Sequence, residues 1–186
     1  MGRPISEYIY KRFLLLLLSY HSARYTANYI FFIHFRKKNE IENQQTENNL
    51  PWILLFHGTS CRRSVQSICA QGFDHRRRGA NGARFGEGTY FGGTAKISHD
   101  YTKSSGDAEQ LRYMFFARVA IGQITVGRSE YQRPPLLKRH QPELGRYDTC
   151  VNDLENPAIF VTFDDNQTYP EYVIEYYSRT ERYIYN

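Results

Sequence analysis

The sequence is poor in cysteine, and its cysteines are not spaced as metal ligands. Cys61, Cys69 and Cys150 are the only three in a chain of 186 residues, and no two of them form a Cys-x-x-Cys pair. Structural zinc sites draw on such closely spaced Cys and His pairs, so a zinc-binding module is excluded. The odd number also argues against a disulfide framework. We therefore expect reduced thiols in an intracellular protein, cytoplasmic or nuclear.

Long apolar runs are lacking as well. The run FLLLLL at residues 13–18 follows Lys11 and Arg12 and falls far short of the roughly 20 apolar residues that a membrane helix needs. It resembles a signal-peptide core without a clean cleavage site, and the opening MGRPIS fits the loose myristoylation pattern. A buried strand, a hydrophobic helix end and a mispredicted start are equally open interpretations. We expect no membrane partner.

The chain has no evident internal repeat and no large excess of charge of one sign. The formal net charge is only +5, which favours anionic ligands without requiring nucleic acid. Aromatic residues make up 16% of the sequence, which suits strands and stacking surfaces and argues against a disordered chain.

The composition divides the chain into a body and an extension. Residues 1–48 are an N-terminal extension of uncertain structure, in which isoleucines near helical spacing and polar helix formers predict a helix at about 23–45. Pro51 and the asparagines before it break this pattern. The body is predicted to span 49–180, followed by a tail at 181–186.

The first half of the body predicts a strand, a helix and a glycine-rich loop. WILLF at residues 52–56 is uniformly apolar, which indicates a buried strand that ends at His57. Ser60 is placed to cap a helix that continues to about Gln71, where Gly72 follows. The predicted inward side of this helix consists of Val65, Ile68 and Cys69.

Glycines and arginines then alternate through residues 76–93, which predicts a loop that ends in a short strand at residues 89–91. Thr94 is placed to cap a helix over about 95–102. Ser98 and Tyr101, three residues apart, would share one face of that helix.

The second half of the body predicts further strands. Residues 113–121 are predicted to form a strand, because alternate apolar residues would point to one face: Tyr113, Phe115, Ala117, Val119 and Ile121. Residues 122–150 look irregular, strands follow at 158–163 and 172–177, and the connection at 164–170 is too long for a tight hairpin. Strands joined by short helices and long loops indicate a mixed α+β domain.

Taken singly, the polar residues of the body carry little functional information. A histidine followed by a glycine, such as His57-Gly58, is more often a satisfied turn residue than a ligand contact. The arginines near the glycine-rich loop fit a solvated basic surface, and Tyr90 and Tyr101 fit an ordinary core.

The order and spacing of these segments are more specific. LFHGTS, GFD, NGARFGEGTYF, a helix with Ser and Tyr, YDTCVND and FDDNQTYPEYVIEY follow one another over about residues 50–178. In that order they resemble the catalytic domain of poly(ADP-ribose) polymerases, and more narrowly the branch that performs mono-ADP-ribosylation. The resemblance implies an ADP-ribosyltransferase fold, with mainly antiparallel β-sheets, short helices and an NAD cleft.

The resemblance also assigns residues to NAD, used as a co-substrate without a metal. His57 matches the histidine that hydrogen-bonds ribose hydroxyls, and Tyr90 matches the second motif residue, beside the nicotinamide. Gly58 and Ser98 match the residues that hold the carboxamide, and Tyr101 matches the tyrosine that stacks on the nicotinamide ring. The segment 74–84 matches the loop that borders the adenosine half.

The third motif position is the informative departure. Polymerising members of the family carry glutamate there, whereas alignment back from the YPE sequence places Ile159 at that position. Isoleucine cannot accept a hydrogen bond from a ribose or an acceptor hydroxyl. The resemblance therefore implies transfer of one ADP-ribose to protein side chains, including automodification, with release of nicotinamide. The alternative is a weak or inactive NAD- or ADP-ribose-binding module, and nearby Glu155 is a poor substitute carboxylate.

Two further points stay open at the level of sequence. Nucleic acid is a less favoured partner, because dinucleotide phosphates explain the arginines as well as a polynucleotide does. The family also supplies a strand before the helix that precedes the His-Gly-Thr strand, and the equivalent residues 14–28 match poorly. Without such a strand, one sheet edge would be exposed.

Overall fold

The computed structural model describes residues 12–14, 52–76, 83–103 and 111–177. The helix expected at 23–45, most of the FLLLLL run, Arg77, Arg78 and the tail at 181–186 lie outside these ranges. Among the described residues, no helix is long and apolar enough to span a bilayer.

The described part of the chain is built around one mixed sheet. Its eight strands, numbered along the chain, lie in the order β1-β8-β4-β2-β3-β7-β6-β5. All neighbours are antiparallel except β5 and β6, which run parallel. This confirms the α+β expectation. The strands are β1 (Arg12–Leu14), β2 (Trp52–Thr59), β3 (Thr89–Gly92), β4 (Leu111–Ala120), β5 (Ile124–Val126), β6 (Thr149–Val151), β7 (Ile159–Thr162) and β8 (Thr168–Tyr177).

Short helices complete the architecture. Helix α1 is Arg62–Gln71 and helix α2 is Ala95–His99, which continues directly into a 3-10 turn at Asp100–Thr102. Two more 3-10 turns lie at Pro142–Leu144 and Asp165–Gln167. The connection between β7 and β8 is not a hairpin, because these two strands are not neighbours in the sheet.

The core lies between the sheet and α1. Alternate residues of β2 and β4 point to the same face, where Leu55, Phe115, Ala117 and Val119 are buried. Val65 of α1 is buried against them, and Ile68 and Cys69 pack on the same cluster. The inward face predicted for α1 is confirmed.

Several predicted boundaries were wrong. The strand predicted at 52–56 extends through Thr59, so that His57 and Gly58 lie inside it rather than after it. It is also not buried on both faces, because Leu54 is 37% exposed on the side away from α1. The outer face instead forms a row of aromatic rings, in which Phe56 lies 4.7 Å from Phe116.

The helix starts differ in detail from the prediction. Cys61, not Ser60, is the N-cap of α1, because its backbone is extended and Arg62 is the first helical residue. Thr94 is the N-cap of α2 as predicted, but its side chain makes no capping hydrogen bond. The helix predicted over 95–102 is shorter, since its last turn tightens to 3-10 geometry.

The region predicted to be irregular contains regular elements. Strand β5, a 3-10 turn and the first two residues of β6 lie within residues 122–150. The strand predicted at 172–177 begins earlier, at Thr168. Three-residue strands are too short to show a period, so they form only because a neighbouring strand pairs with them.

An edge strand also comes from the predicted extension. Arg12–Leu14 pairs with β8, with Arg12 opposite Glu175 and Leu14 opposite Val173. This strand covers the backbone edge that β8 would otherwise present. The domain boundary at residue 49 stays a prediction.

Candidate active site

The predicted site residues gather where β2 and β3 part. Only one residue pair, Phe56 and Gly92, joins these two strands in register. Beyond it, the Nδ1 atom of His57 lies 2.8 Å from the carbonyl oxygen of Tyr90. Past that pair, a side-chain hydrogen bond takes the place of the backbone ladder between the two strands.

The tautomer of His57 follows from this contact. A carbonyl oxygen only accepts hydrogen bonds, so Nδ1 carries the proton and donates it to Tyr90. Burial lowers the pKa of His57, and the hydrogen bond to the Tyr90 backbone opposes that shift. The imidazole is therefore neutral at pH 7, and Nε2 presents a lone pair that can accept a hydrogen bond.

Aromatic packing fixes the orientation of the imidazole. The ring of Phe73 meets it edge-on at 5.1 Å between centroids, and Phe91 lies at 5.6 Å. Phe73 itself packs against Phe91 and Phe115 in the core. The rings leave the imidazole little freedom to turn, so Nε2 has a defined direction.

Tyr90 connects the site to the glycine-rich loop. Its hydroxyl donates to the carbonyl oxygen of Gly86 at 2.8 Å and accepts from the N–H of Phe85 at 2.9 Å. Gly86 has a φ of 119°, a conformation that a residue with a side chain rarely adopts. The hydroxyl of Tyr90 therefore holds the end of the loop, which leaves the ring as the surface for a ligand.

Ser98 and Gly58 meet across the end of β2. Ser98 is buried, and its hydroxyl donates to the carbonyl oxygen of Phe56 at 2.8 Å. A Cβ at Gly58 would overlap the carbonyl oxygen of Ser98, so glycine is what allows α2 to lie directly on the strand. The structure thus brings together the two residues that sequence reasoning assigned to one chemical group.

Tyr101 lies beside them but is 40% exposed. Burial raises the pKa of Tyr90, the hydrogen bond from Phe85 lowers it, and the nearby phenol of Tyr101 raises it further. An exposed ring has the surface that stacking on a planar ligand requires.

Ile159, which the resemblance assigns to the third motif position, lies at the start of a strand beside β3. It is the first residue of β7 and lies opposite Gly92, while Val161 lies opposite Tyr90. Side chains of paired residues share a face, so Ile159 and Tyr90 are on the same side of the sheet. Glu155 is exposed in the preceding turn and does not belong to this strand.

Sequence reasoning missed the residues that support the site. Asn152 accepts the N–H groups of Ala158 and Ile159 through one side-chain oxygen, at 2.9 and 2.7 Å, which fixes the start of β7. Phe73 orients His57. Both lie in segments that carried the resemblance, YDTCVND and GFD, but their partners are distant in sequence.

One cluster has the composition of a cation site. Among the described residues, Asp74, His75 and Asp165 bring potential ligand atoms within 4.8 Å of one another. These groups already bond to protein, since Asp165 holds His75 and Asp74 holds Arg76. The expectation that the chemistry needs no metal stays a prediction.

Comparison with known proteins agrees with this arrangement. Residues 10–143 match the model of the poly(ADP-ribose) polymerase catalytic domain. Protein mono-ADP-ribosyltransferase PARP12 of Homo sapiens is 40% identical over 140 residues, which are 75% of this chain and 19% of that protein. PARP11 of Mus musculus, also named a protein mono-ADP-ribosyltransferase, is 39% identical over 159 residues, covering 76% of this chain and 47% of that protein.

A more distant relative is protein mono-ADP-ribosyltransferase PARP14 of Homo sapiens, 36% identical over 141 residues and covered to 8% of its length. The chain therefore spans between 8% and 47% of the lengths of these three curated relatives. The matched segment contains His57, Gly58, Tyr90, Ser98 and Tyr101. On this match, the chain belongs to the poly(ADP-ribose) polymerase catalytic domain family.

Proposed function

We propose that the protein is an NAD-dependent mono-ADP-ribosyltransferase that transfers one ADP-ribose to protein side chains and releases nicotinamide. The observation that carries the proposal is the hydrogen bond from His57 of β2 to the backbone of Tyr90 in β3, with Ile159 of the adjacent strand β7 on the same face as Tyr90. The first two residues supply a ribose acceptor and an aromatic wall. The third supplies no carboxylate.

The nicotinamide end of NAD is proposed to lie against the edge where α2 contacts β2, beside Gly58 and Ser98. Because the hydroxyl of Ser98 donates to Phe56, its oxygen is left to accept an N–H from the carboxamide. Backbone groups two residues apart in a strand point to the same edge, so Gly58 presents its N–H and C=O on the edge where Ser98 bonds Phe56. Tyr101 stacks on the ring from the open side. Together these groups fix the orientation of the leaving group.

The reaction replaces one bond at the ribose C1′ atom. The bond from C1′ to the nicotinamide nitrogen breaks, and its electron pair neutralises the pyridinium ring. The acceptor nucleophile then bonds to C1′, and any proton that it carried passes to solvent or to a base on the acceptor. His57 holds the ribose through Nε2 while positive charge develops on the sugar.

Ile159 limits the product. Extension of a chain needs a group that activates a hydroxyl of the first ADP-ribose, and an isoleucine side chain has no hydrogen-bonding atom for that task. An acceptor carboxylate needs no such activation, because it is already ionised at neutral pH. Proteins with acidic acceptors, including this protein itself, are thus suitable partners.

Labelled NAD tests the proposal. Purified protein is incubated with NAD labelled in the adenylate half, and label is followed on the protein and on proteins of a cell lysate. We expect covalent label in the wild type and none in the His57→Ala and Tyr90→Ala variants. A folded wild-type protein that binds NAD and transfers no label would contradict the proposal.

Ile159 also motivates a second candidate, a module that binds NAD or ADP-ribose without chemistry. The two candidates differ in nicotinamide release. Calorimetric binding of NAD with no nicotinamide released over hours supports the binding module. Steady release excludes it.

A further inference from the structure

The connection between β7 and β8 contains the 3-10 turn Asp165–Gln167, a platform that hydrogen bonds hold to the sheet. Gln167, which is 2% exposed, donates through its side-chain amide to the carbonyl oxygens of Ala120 and Asp148, both at 3.1 Å. The side chain of Asp164 caps the 3-10 turn by accepting the N–H of Asn166 at 3.0 Å. A buried amide with several partners ties this turn to the sheet.

Asp165 reaches from this platform to a segment 90 residues earlier in the chain. Its Oδ1 atom accepts the backbone N–H of His75 at 2.9 Å and the Nδ1–H of the same residue at 2.7 Å. Both side chains are about two-thirds buried, since they are 35% and 30% exposed. Two hydrogen bonds to one carboxylate fix both the backbone and the ring of His75.

The segment that Asp165 holds, residues 73–76, borders the site. Phe73, two residues before His75, packs on the imidazole of His57. Asp74 accepts the N–H and the Nε–H of Arg76 at 3.0 and 2.8 Å, which orders the next residue as well. Residues 73–76 therefore lie next to the imidazole that is proposed to hold the ribose.

We infer that Asp165 is a positioning residue for the ADP-ribose half of the dinucleotide. It holds the segment 73–76 so that Phe73 supports His57 and Arg76 is available to the phosphates. This assigns a role to the FDDNQ sequence, which the site itself does not use. The inference rests on the proposed function, because it requires that NAD lies in this site.

Binding of the two halves of NAD tests the inference. Calorimetry measures the affinities of the full chain for nicotinamide and for ADP-ribose separately. In Asp165→Ala we expect the ADP-ribose affinity to fall about tenfold. The nicotinamide affinity should stay within about twofold, because the residues proposed to hold nicotinamide (Gly58, Ser98 and Tyr101) are not partners in the contact between Asp165 and His75. Asp165→Asn keeps an oxygen that can accept both N–H groups, so it is expected to retain most of the ADP-ribose affinity.

The matched control is Asp153→Ala. Asp153 also accepts two backbone N–H groups in an exposed turn, from Glu155 and Asn156, but lies away from residues 73–76. We expect it to leave both affinities unchanged. The double variant His75→Ala/Asp165→Ala should lose no more ADP-ribose affinity than Asp165→Ala alone, because the two substitutions break the same contact.

The outcomes separate the inference from the proposed function. Unchanged ADP-ribose affinity in Asp165→Ala would overturn the inference, and so would an equal loss of both ligands, which is the mark of general unfolding. A wild-type protein that binds neither NAD nor ADP-ribose would contradict the proposed function and the inference together. Wild-type binding with a selective loss in the variant supports both.

Discussion

At the scale of single residues, the two nitrogens of His57 have different tasks. Nδ1 donates to the backbone of Tyr90, and this bond determines that Nε2 is the acceptor. The arrangement explains why a histidine is suited to this position. A neutral imidazole is fixed by the main chain on one side and can accept a ribose hydroxyl on the other.

Truncation of this residue should remove activity without removing the fold. We expect His57→Ala to lower kcat/KM for ADP-ribose transfer by at least about 100-fold, because the ribose loses its acceptor and its alignment. His140→Ala is the control, since His140 is exposed and lies outside the site. Transfer rates measured with labelled NAD check the prediction, and an active His57→Ala variant would refute the role of the imidazole.

The hydroxyl and the ring of Tyr90 can be separated by substitution. Tyr90→Phe keeps the aromatic wall but leaves the Gly86 carbonyl and the Phe85 N–H without this partner. At about 1 kcal/mol for each hydrogen bond, we expect a loss of roughly 5- to 30-fold in NAD affinity and a smaller loss for nicotinamide alone. Calorimetry on Tyr90→Phe and on the exposed control Tyr172→Phe measures it. Equal behaviour of the two variants would contradict the account.

At the scale of elements, the site depends on how closely α2 lies on β2. This close approach is possible because Gly58 has no side chain. The hydroxyl of Ser98 stabilises it by donating to the carbonyl oxygen of Phe56. The helix carries both Ser98 and the turn with Tyr101. Any displacement of α2 therefore moves two of the groups proposed to hold nicotinamide.

Two glycines allow a matched test of this contact. In Gly58→Ala the new Cβ overlaps the Ser98 carbonyl, and we expect the nicotinamide affinity to be lost and stability to fall by about 1–3 kcal/mol. In Gly93→Ala the new Cβ lies 3.6 Å from its nearest neighbour, an ordinary contact, so binding and stability should change little. Thermal unfolding with and without nicotinamide checks both. A Gly58→Ala variant that binds as well as the wild type would show that the close approach is not required.

The elements also show what could be predicted from the sequence. Strand β4 has apolar residues at every second position, on its inward face, and α1 has its apolar residues at helical spacing, so both were found from local patterns. Strands β5 and β6 were missed because three residues carry no periodicity. The contact of Asp165 with His75 was out of reach, since 90 residues separate the partners and nothing local joins them.

The site residues also divide into those that could be named from the sequence and those that could not. His57, Gly58, Tyr90, Ser98 and Tyr101 were named from the order of the segments, and the structure brings them to one place. The residues that support them, such as Phe73 and Asn152, were not named. Their contribution arises from packing and hydrogen bonds between elements, which a single sequence does not display.

At the scale of the whole molecule, two buried or partly buried histidines link stability to pH. Burial lowers the pKa values of His57 and His99, and Arg112 adds to the shift at His99. The unfolded chain therefore takes up protons first as the pH falls below about 6.5. Between that pH and the lowered pKa values, the unfolded state binds more protons, and the free energy of unfolding decreases.

Thermal unfolding between about pH 8 and 5 measures this effect. We expect Tm to be nearly constant above the ordinary histidine pKa and to fall below it. His99→Gln should show a shallower decline, because one of the two shifted groups is removed. A Tm that rises on acidification through this window would contradict the assigned direction of the pKa shifts.

For the whole molecule, the central proposal rests on Ile159, which the resemblance assigns to the position where polymerising members of the family carry glutamate. Mass spectrometry of the protein after incubation with NAD tests it most directly. The account predicts adducts of single ADP-ribose units on protein side chains, absent in His57→Ala, with nicotinamide released in equal amount. Chains of linked ADP-ribose, or an unmodified protein that binds NAD with no transfer to any acceptor, would contradict it.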